Sequence, residues 1–339
     1  MPEPTIDLIN LDAIKACSRK LQPFIKRTPV VSITAPIIEQ LLGVESINLK
    51  LELLQHTGTF KARGALAVAQ AIPEQQRTAG ITAASAGNHA IAAAWAARVL
   101  GMSAKVVMQS NANPLRVAMA KTLGAEVIIK APGAETFSEA ERLVKDEGRT
   151  FIHPFDGPYT SLGTAGVGVE FIEDLPDLEA VVVSVGGGGL ISGVAAAIKA
   201  INPKCKIYGV EPCGADSMSK SFVRQAPVTL NKVVTIADSL APPMSLPFSY
   251  ALCQRYVDQM VTVTDDAICA AMLLLQQSAK LALEPAAATA LAGALGPLRS
   301  ELAGKQIGIV ICGANIDQQS YSSLLARGQQ NHDIFGVNI

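Results

Sequence analysis

The sequence predicts an α/β fold built from two parallel-sheet domains with a ligand cleft between them. Three observations carry that expectation. Short, β-branched apolar runs alternate with Ala-rich segments of helical spacing along most of the 339 residues, the pattern of strands buried on both faces. The runs end in Gly, Ser, Pro or Asn. They also fall into two groups, about 80–155 and 180–313, on either side of the Gly- and Pro-rich stretch DGPYTSLGTAG, which places the cleft between two units.

Taken in order, the predicted strands are SINLKLE (46–52), GITAAS (80–85), AKVVMQ (104–109), AEVIIK (125–130), TFIHPF (150–155), AVVVSVG (180–186), KIYGVEP (206–212) and QIGIVICG (306–313). Helices are predicted over KARGALAVAQAI, NHAIAAAWAARVL, PLRVAMAKTLG and ISGVAAAIKAI, where alanine and straight-chain residues favour the helix. One unit is drawn from 1–54 together with 159–339, the other from 55–158.

Composition narrows the function classes. Apolar residues make up 49% and charged residues 17%, enough to bury a large core. A formal net charge of −1, without long runs of one sign, leaves no electrostatic footprint for nucleic acid or an anionic membrane. The N-terminal MPEPTIDLINLDAIKAC lacks a basic region followed by an apolar core, so no secretory signal is read. No apolar run approaches the ~20 residues of a membrane span. Cys17, Cys205, Cys213, Cys253, Cys269 and Cys312 are scattered without a C-x-x-C pair. They read as free thiols of a cytoplasmic protein, all but Cys312 as small core residues. No further domain is read after the last strand, so no effector feedback by isoleucine is expected.

Four segments carry candidate chemistry. In TGTFKARG, Lys61 follows Phe60 at a Gly-containing turn that opens a helix. An amine desolvated there has a lowered pKa and is activated for Schiff-base chemistry, the other reading being an exposed helix-start lysine. TAASAGNHA closes a strand and opens a helix. With Ser85 as N-cap, the N–H groups of Ala86, Gly87 and Asn88 would receive an anion such as a carboxylate; otherwise it is a routine turn with His89 buried. SVGGGGLISG places four glycines between strand and helix, a costly loop suited to wrapping a phosphate. Gly187, Gly189 and Gly193 with Glu211 also approximate a dinucleotide fingerprint, with the wrong spacing. Finally, IVICGANID ends a strand in Cys312 and Asn315, where α/β sheets present ligand contacts.

In this order, TFKARG, SAGNH, GGGGL and CGAN resemble the fold-type II pyridoxal-phosphate enzymes, and within them the threonine/serine dehydratase and serine racemase group. The resemblance runs from Arg27-Thr28-Pro29 to Asn315-Ile316-Asp317. Four motifs in register displace the dinucleotide reading. The resemblance implies a tryptophan synthase β-like architecture and a homodimer. It also implies that Lys61 carries pyridoxal 5'-phosphate as a Schiff base with Phe60 beside the ring. Gly186, Gly187, Gly188, Gly189 and Leu190 would hold the phosphate, and Asn88 would contact the ring's phenolic oxygen. Cys312 would face the pyridine nitrogen, where the family usually has serine. Glu284, from the family's E-P pair, would lie near the cofactor. Ser85, Ala86, Gly87, Asn88 and His89 would grip the substrate carboxylate.

The implied reaction is dehydration and deamination of L-threonine or L-serine to a 2-oxo acid and ammonia, with the freed Lys61 amine as base. Alternatives are a dehydratase for phenylserine or 3-hydroxyaspartate and, with less support, a serine racemase. Racemases of this group carry a serine where Ala86 stands. An alanine methyl transfers no proton, so little interconversion of serine enantiomers is expected. The family's cation site aligns with Glu211-Pro-Cys-Gly-Ala-Asp-Ser217. Glu211 and Ala215 match it, but Ser217 replaces an aspartate, which counts against a hard cation. Phe155 and Ile91 replace polar residues, which leans the pocket toward an apolar β-substituent and away from hydroxyaspartate.

Overall fold

The computed structural model describes residues 5–85 and 87–337; Ala86, one of the residues expected at the substrate carboxylate, lies outside them. Ten strands form two sheets. In chain order they are β1 (Val30–Ile33), β2 (Ile47–Lys50), β3 (Ile81–Ala84), β4 (Ala104–Gln109), β5 (Glu126–Lys130), β6 (Thr150–Phe151), β7 (Ala180–Ser184), β8 (Lys206–Pro212), β9 (Gln259–Val263) and β10 (Ile307–Val310). One sheet has the order β1-β2-β10-β7-β8-β9 and the other β5-β4-β3-β6. All pairs are parallel except β1 with β2. The parallel α/β architecture is therefore the one the alternation predicts.

Two strands escape the sequence reading, and both are edges. Only Ile33 of β1 is buried and Val31 is 42% exposed. In β9 only Val263 is buried. Neither therefore carries a continuous apolar run. TFIHPF shortens to the two residues of β6, after which the chain turns at His153.

The Gly- and Pro-rich stretch is not a linker. It opens the helix Pro158–Asp174, most of which is buried. Its glycines permit close packing: a Cβ at Gly163 would fall 2.6 Å from the Arg63 carbonyl, and one at Gly168 would fall 2.7 Å from that of Val194. The helix thus lies directly against the helices Lys61–Ala71 and Ile191–Ile201. Local propensity favours a turn here, and tertiary contact overrides it.

A buried ionic network anchors the helix that begins with Lys61. Arg63 has no exposed surface and donates Nε and Nη2 to the Glu52 carboxylate at 2.8 Å each. It also donates Nη1 and Nη2 to Glu170 at 2.7 and 2.9 Å. Buried Lys50 adds a bond to Glu170 at 2.7 Å and another to the Thr28 carbonyl at 2.7 Å. Burial alone would weaken the Arg63 charge, but the two carboxylates hold its pKa above the ordinary value. The network ties β2, the helix start and the long helix into one block two residues from Lys61.

No described helix is long and apolar enough to cross a membrane. All six cysteines are unpaired. Cys205, Cys253 and Cys269 are buried as expected, and Cys312 is buried too, whereas Cys213 is exposed and Cys17 half-buried. Cys213 sits in the turn after β8, where no core reaches it.

Candidate active site

Three strand ends converge on one cleft: β7 and β10, neighbours in one parallel sheet, present their C-terminal ends on the same side, and the end of β3, from the other sheet, borders the same cavities. β3 leads into Ser85–His89, β7 into Gly186–Leu190, and β10 into Cys312–Asn315. A cavity of about 750 Å³ is lined by Lys61, Ser85, Gly87, Asn88 and His89. A smaller one of about 40 Å³ is lined by Phe60, Lys61, Asn88, the four glycines, Leu190, Glu284 and Cys312. Lys61, Asn88, Phe155, Ser239 and Pro242 border both cavities.

Lys61 is the first residue of its helix. Its Nζ donates to the Pro154 carbonyl at 2.6 Å and lies 5.1 Å from the Phe60 ring centroid. Burial lowers its pKa to about 8, opposed by Cys312 and Glu284. Such an amine is available as a nucleophile and a base near neutral pH.

The glycine loop is shaped by close approach. Gly188 has φ +90°, in the left-handed region. A Cβ at Gly187 would fall 2.2 Å from the Phe155 ring, and one at Gly189 would fall 2.7 Å from the Phe155 backbone. Larger residues at these positions would collide with the chain that holds the loop. Its backbone N–H groups stand beside the start of the helix Ile191–Ile201, a site suited to a phosphate.

Asn88 and Glu284 are joined across the cleft. Asn88 Nδ2 donates to the Glu284 carboxylate at 2.8 and 2.9 Å, and to Ser239 at 3.1 Å. Asn88 Oδ1 accepts from Asn315 Nδ2 at 2.8 Å. Burial raises the Glu284 pKa, opposed first by Arg116 and then by the Asn88 hydrogen bond. Cys312 is buried, and burial raises its thiol well above the ordinary value, so it stays a neutral hydrogen-bonding group.

The start of the next helix differs in one detail from expectation. The helix runs Asn88–Val99 with Gly87 at its N-cap, so Ser85 does not cap it. Ser85 Oγ instead accepts from Gly87 N at 3.1 Å and tightens the preceding turn. His89 is neutral: Nε2–H donates to the Ile152 carbonyl at 2.8 Å, and burial lowers its pKa to about 3, reinforced by Lys61. His153 is likewise lowered to about 4 by burial.

These neutral histidines have a stability consequence. Unfolded His89 protonates near 6.5, whereas the folded residue resists until about 3. Folding therefore loses stability as the pH drops below about 6.5. Buried Glu211, raised to about 7, acts in the opposite direction, so the variant must be compared with wild type. On acidification from pH 7 to pH 5 the urea midpoint of wild type should fall further than that of His89→Gln. Parallel midpoints would refute the assignment.

The candidate cation residues are engaged otherwise. Glu211 is fully buried at the end of β8 and accepts from Met218 N at 2.9 Å, Ser219 N at 2.7 Å and Ser219 Oγ at 2.6 Å. It thus satisfies the N-terminus of the helix Ser217–Arg224. Ala215 is buried and offers only its backbone, while Asp216 pairs with Lys220. Among the described residues no group of three His, Cys, Asp or Glu is placed to hold a metal ion. Ile91 is also displaced from its expected role, because it points into the core rather than the cleft.

Two site residues escaped the sequence reading. Arg116, from the helix Pro114–Thr122, is almost fully buried and lines the larger cavity. It pairs with Asp238 through Nη1 and Nη2 and reaches Glu284 at 3.4 Å. No motif marks them, since the partners lie more than a hundred residues apart.

Comparison with known proteins agrees with this geometry. The chain matches the family of pyridoxal-phosphate dependent enzymes over residues 21–313. It is 46% identical to a phenylserine dehydratase of Ralstonia pickettii, covering 96% of this chain and 98% of the relative. It is 38% identical to an L-threonine ammonia-lyase of Thermotoga maritima, covering 95% and 79%. The fold superposes on maize serine racemase with a TM-score of 0.87 at 33% identity, covering 95% and 98%. A buried lysine of lowered pKa beside a glycine cradle suits an aldehyde phosphate, and the chain belongs to the pyridoxal-phosphate-dependent enzyme family.

Proposed function

We propose that the protein is an ammonia-lyase that dehydrates and deaminates L-threonine and L-serine to the corresponding 2-oxo acids. The observation that carries this reading is Lys61: a buried amine, lowered to about 8, facing both the glycine cradle and the Ser85–His89 loop. Pyridoxal phosphate, when bound, supplies an electron sink for charge at the substrate Cα. Lys61 would hold the cofactor and, once freed by the substrate amine, would take the Cα proton. Gly186 to Leu190 would hold the phosphate, and Phe60 would pack beside the ring. Asn88, whose amide is held by Glu284, Ser239 and Asn315 in the open cleft, would exchange one of these bonds for the phenolic oxygen when the cofactor is bound. Cys312, a neutral thiol lining the smaller cavity, would meet the ring nitrogen and leave it without an ion-pair partner. The turn at Ser85, Gly87 and Asn88, with His89 behind it, receives the carboxylate; Ala86 belongs to the same segment by sequence.

A second reading, an aryl β-substituent, is favoured by the cleft itself. Phe137, Val144, Phe151, Phe155 and Met244 line it, and about 750 Å³ exceeds what a methyl group requires. The phenylserine dehydratase relative supports the same choice. A cytoplasmic homodimer completes the proposal, supported by the unpaired cysteines and by family resemblance respectively.

A 2-oxo acid assay across threonine, serine, phenylserine and 3-hydroxyaspartate tests these readings. Threonine and serine should be turned over, and hydroxyaspartate should have the lowest kcat/KM of the four. A higher kcat/KM for phenylserine than for threonine would establish the second reading. Preference for hydroxyaspartate would overturn both, because its second carboxylate would meet the apolar side chains of Phe137, Val144, Phe151, Phe155 and Met244, with Lys145 only at the exposed rim.

A further inference from the structure

We infer that Arg116 is the counter-ion of the substrate carboxylate and that Asp238 holds its place until substrate arrives. The inference rests on the proposed amino acid substrate and assigns a residue that no sequence motif marks.

The first ground is charge. A substrate whose amine is committed to the cofactor enters as a carboxylate anion, and the Ser85–His89 turn offers it only backbone dipoles and neutral side chains. His89 and His153 are uncharged, as shown above. Among the described residues lining the cleft, the other cations are Lys61, Arg116 and the exposed rim residue Lys145. Lys61 is occupied by the chemistry. Arg116 is therefore the one buried, permanently charged cation left in the cleft.

The second ground is position. A Cβ at Gly87 would fall 2.7 Å from both Cδ and Nη1 of Arg116. The guanidinium thus lies directly on the backbone of the carboxylate-binding turn, which explains why position 87 carries no side chain. Nε is fixed to the Asn315 carbonyl at 3.0 Å, so the Nη1/Nη2 fork is the end that faces a ligand. A fork of this kind matches a carboxylate in two parallel hydrogen bonds.

The third ground is the nature of the present partner. The fork holds Asp238, whose side chain is 54% exposed, against 5% for Arg116. An aspartate half in water is released at small cost, since solvent replaces the lost bond. Glu284 stays beside the guanidinium at 3.4 Å while its own carboxylate remains tied to Asn88. Exchange of one carboxylate for another keeps the charge of the buried site unchanged.

The test is calorimetric binding of alanine and alaninamide to the cofactor-loaded protein. Both lack the β-hydroxyl, so the reading does not depend on elimination. Arg116→Gln should weaken alanine at least 10-fold and alaninamide less than 2-fold. Asp238→Asn should tighten alanine several-fold and leave alaninamide unchanged. Equal weakening of both ligands in Arg116→Gln would reduce Arg116 to a structural clamp and overturn the inference. So would an unchanged alanine affinity in Asp238→Asn, a variant that decides the matter alone should Arg116→Gln fail to fold. Loss of the elimination reaction with the alanine preference intact would instead sink the ammonia-lyase reading and leave this one standing.

Discussion

Lys61→Ala should be colourless after incubation with pyridoxal phosphate and reduced in 2-oxo acid formation by on the order of 10³-fold or more. Both readouts share one proposed cause, the ε-amine of Lys61 as covalent anchor and base, and among the described residues no other lysine borders the two cavities together. Wild type should show a visible band that borohydride bleaches. Its rate should also climb with pH through about 8. Below that value the freed amine holds its proton and cannot take another; above it the neutral base is fully populated. An ordinary lysine would place the rise near 10.5. Full activity or an unchanged spectrum in Lys61→Ala would remove the basis of the proposed function, and a rise near 10.5 would show the amine to be solvated.

Arg63→Ala should be the most destabilising single change near the site, by about 3–5 kcal/mol, because it leaves buried carboxylates without their counter-ion. Glu52 has no exposed surface and receives two of the Arg63 bonds, while Glu170 receives two more. Lys50 neutralises only part of the remaining charge. Urea denaturation followed by circular dichroism measures the loss. A change below about 1 kcal/mol would mean that water reaches the carboxylates when the guanidinium is gone. Arg63→Lys should recover only part of the stability, since one ammonium cannot reproduce a fork shared between two carboxylates.

The residues that bind by position in the chain were legible before any coordinates. Lys61 beside an aromatic residue, glycines 186–189 after an apolar strand, and Asn88 at a helix start each carry a local reason for being where they are. Parallel strand order accounts for β7 and β10 ending on one side of their sheet, whereas the end of β3, from the second sheet, reaches the same cleft through the packing of the two sheets. Segments whose environment is set by distant residues were not legible. The Pro158–Asp174 helix reads as a turn because its glycines answer to Arg63 and Val194, not to their own neighbours. The edge strands β1 and β9 lack the buried faces that make an apolar run. That Glu211 receives three hydrogen bonds from Met218 and Ser219 at the start of the helix beginning at Ser217 was likewise invisible in the sequence.

By itself, the sequence determined the parallel α/β architecture, and its four motifs in register pointed, through a family resemblance, to the cofactor and to Lys61 as the residue proposed to hold it. The first depends on periodicity, the second on the order of four motifs matched to a known family. Tertiary structure alone decided that Arg63 is neutralised by Glu52 and Glu170, and that Arg116 stands over Gly87 with Asp238 in its fork. It also decided that both cleft histidines are uncharged. The reason is the same in each case: Coulomb energies and desolvation depend on distance and burial, and chain separation encodes neither.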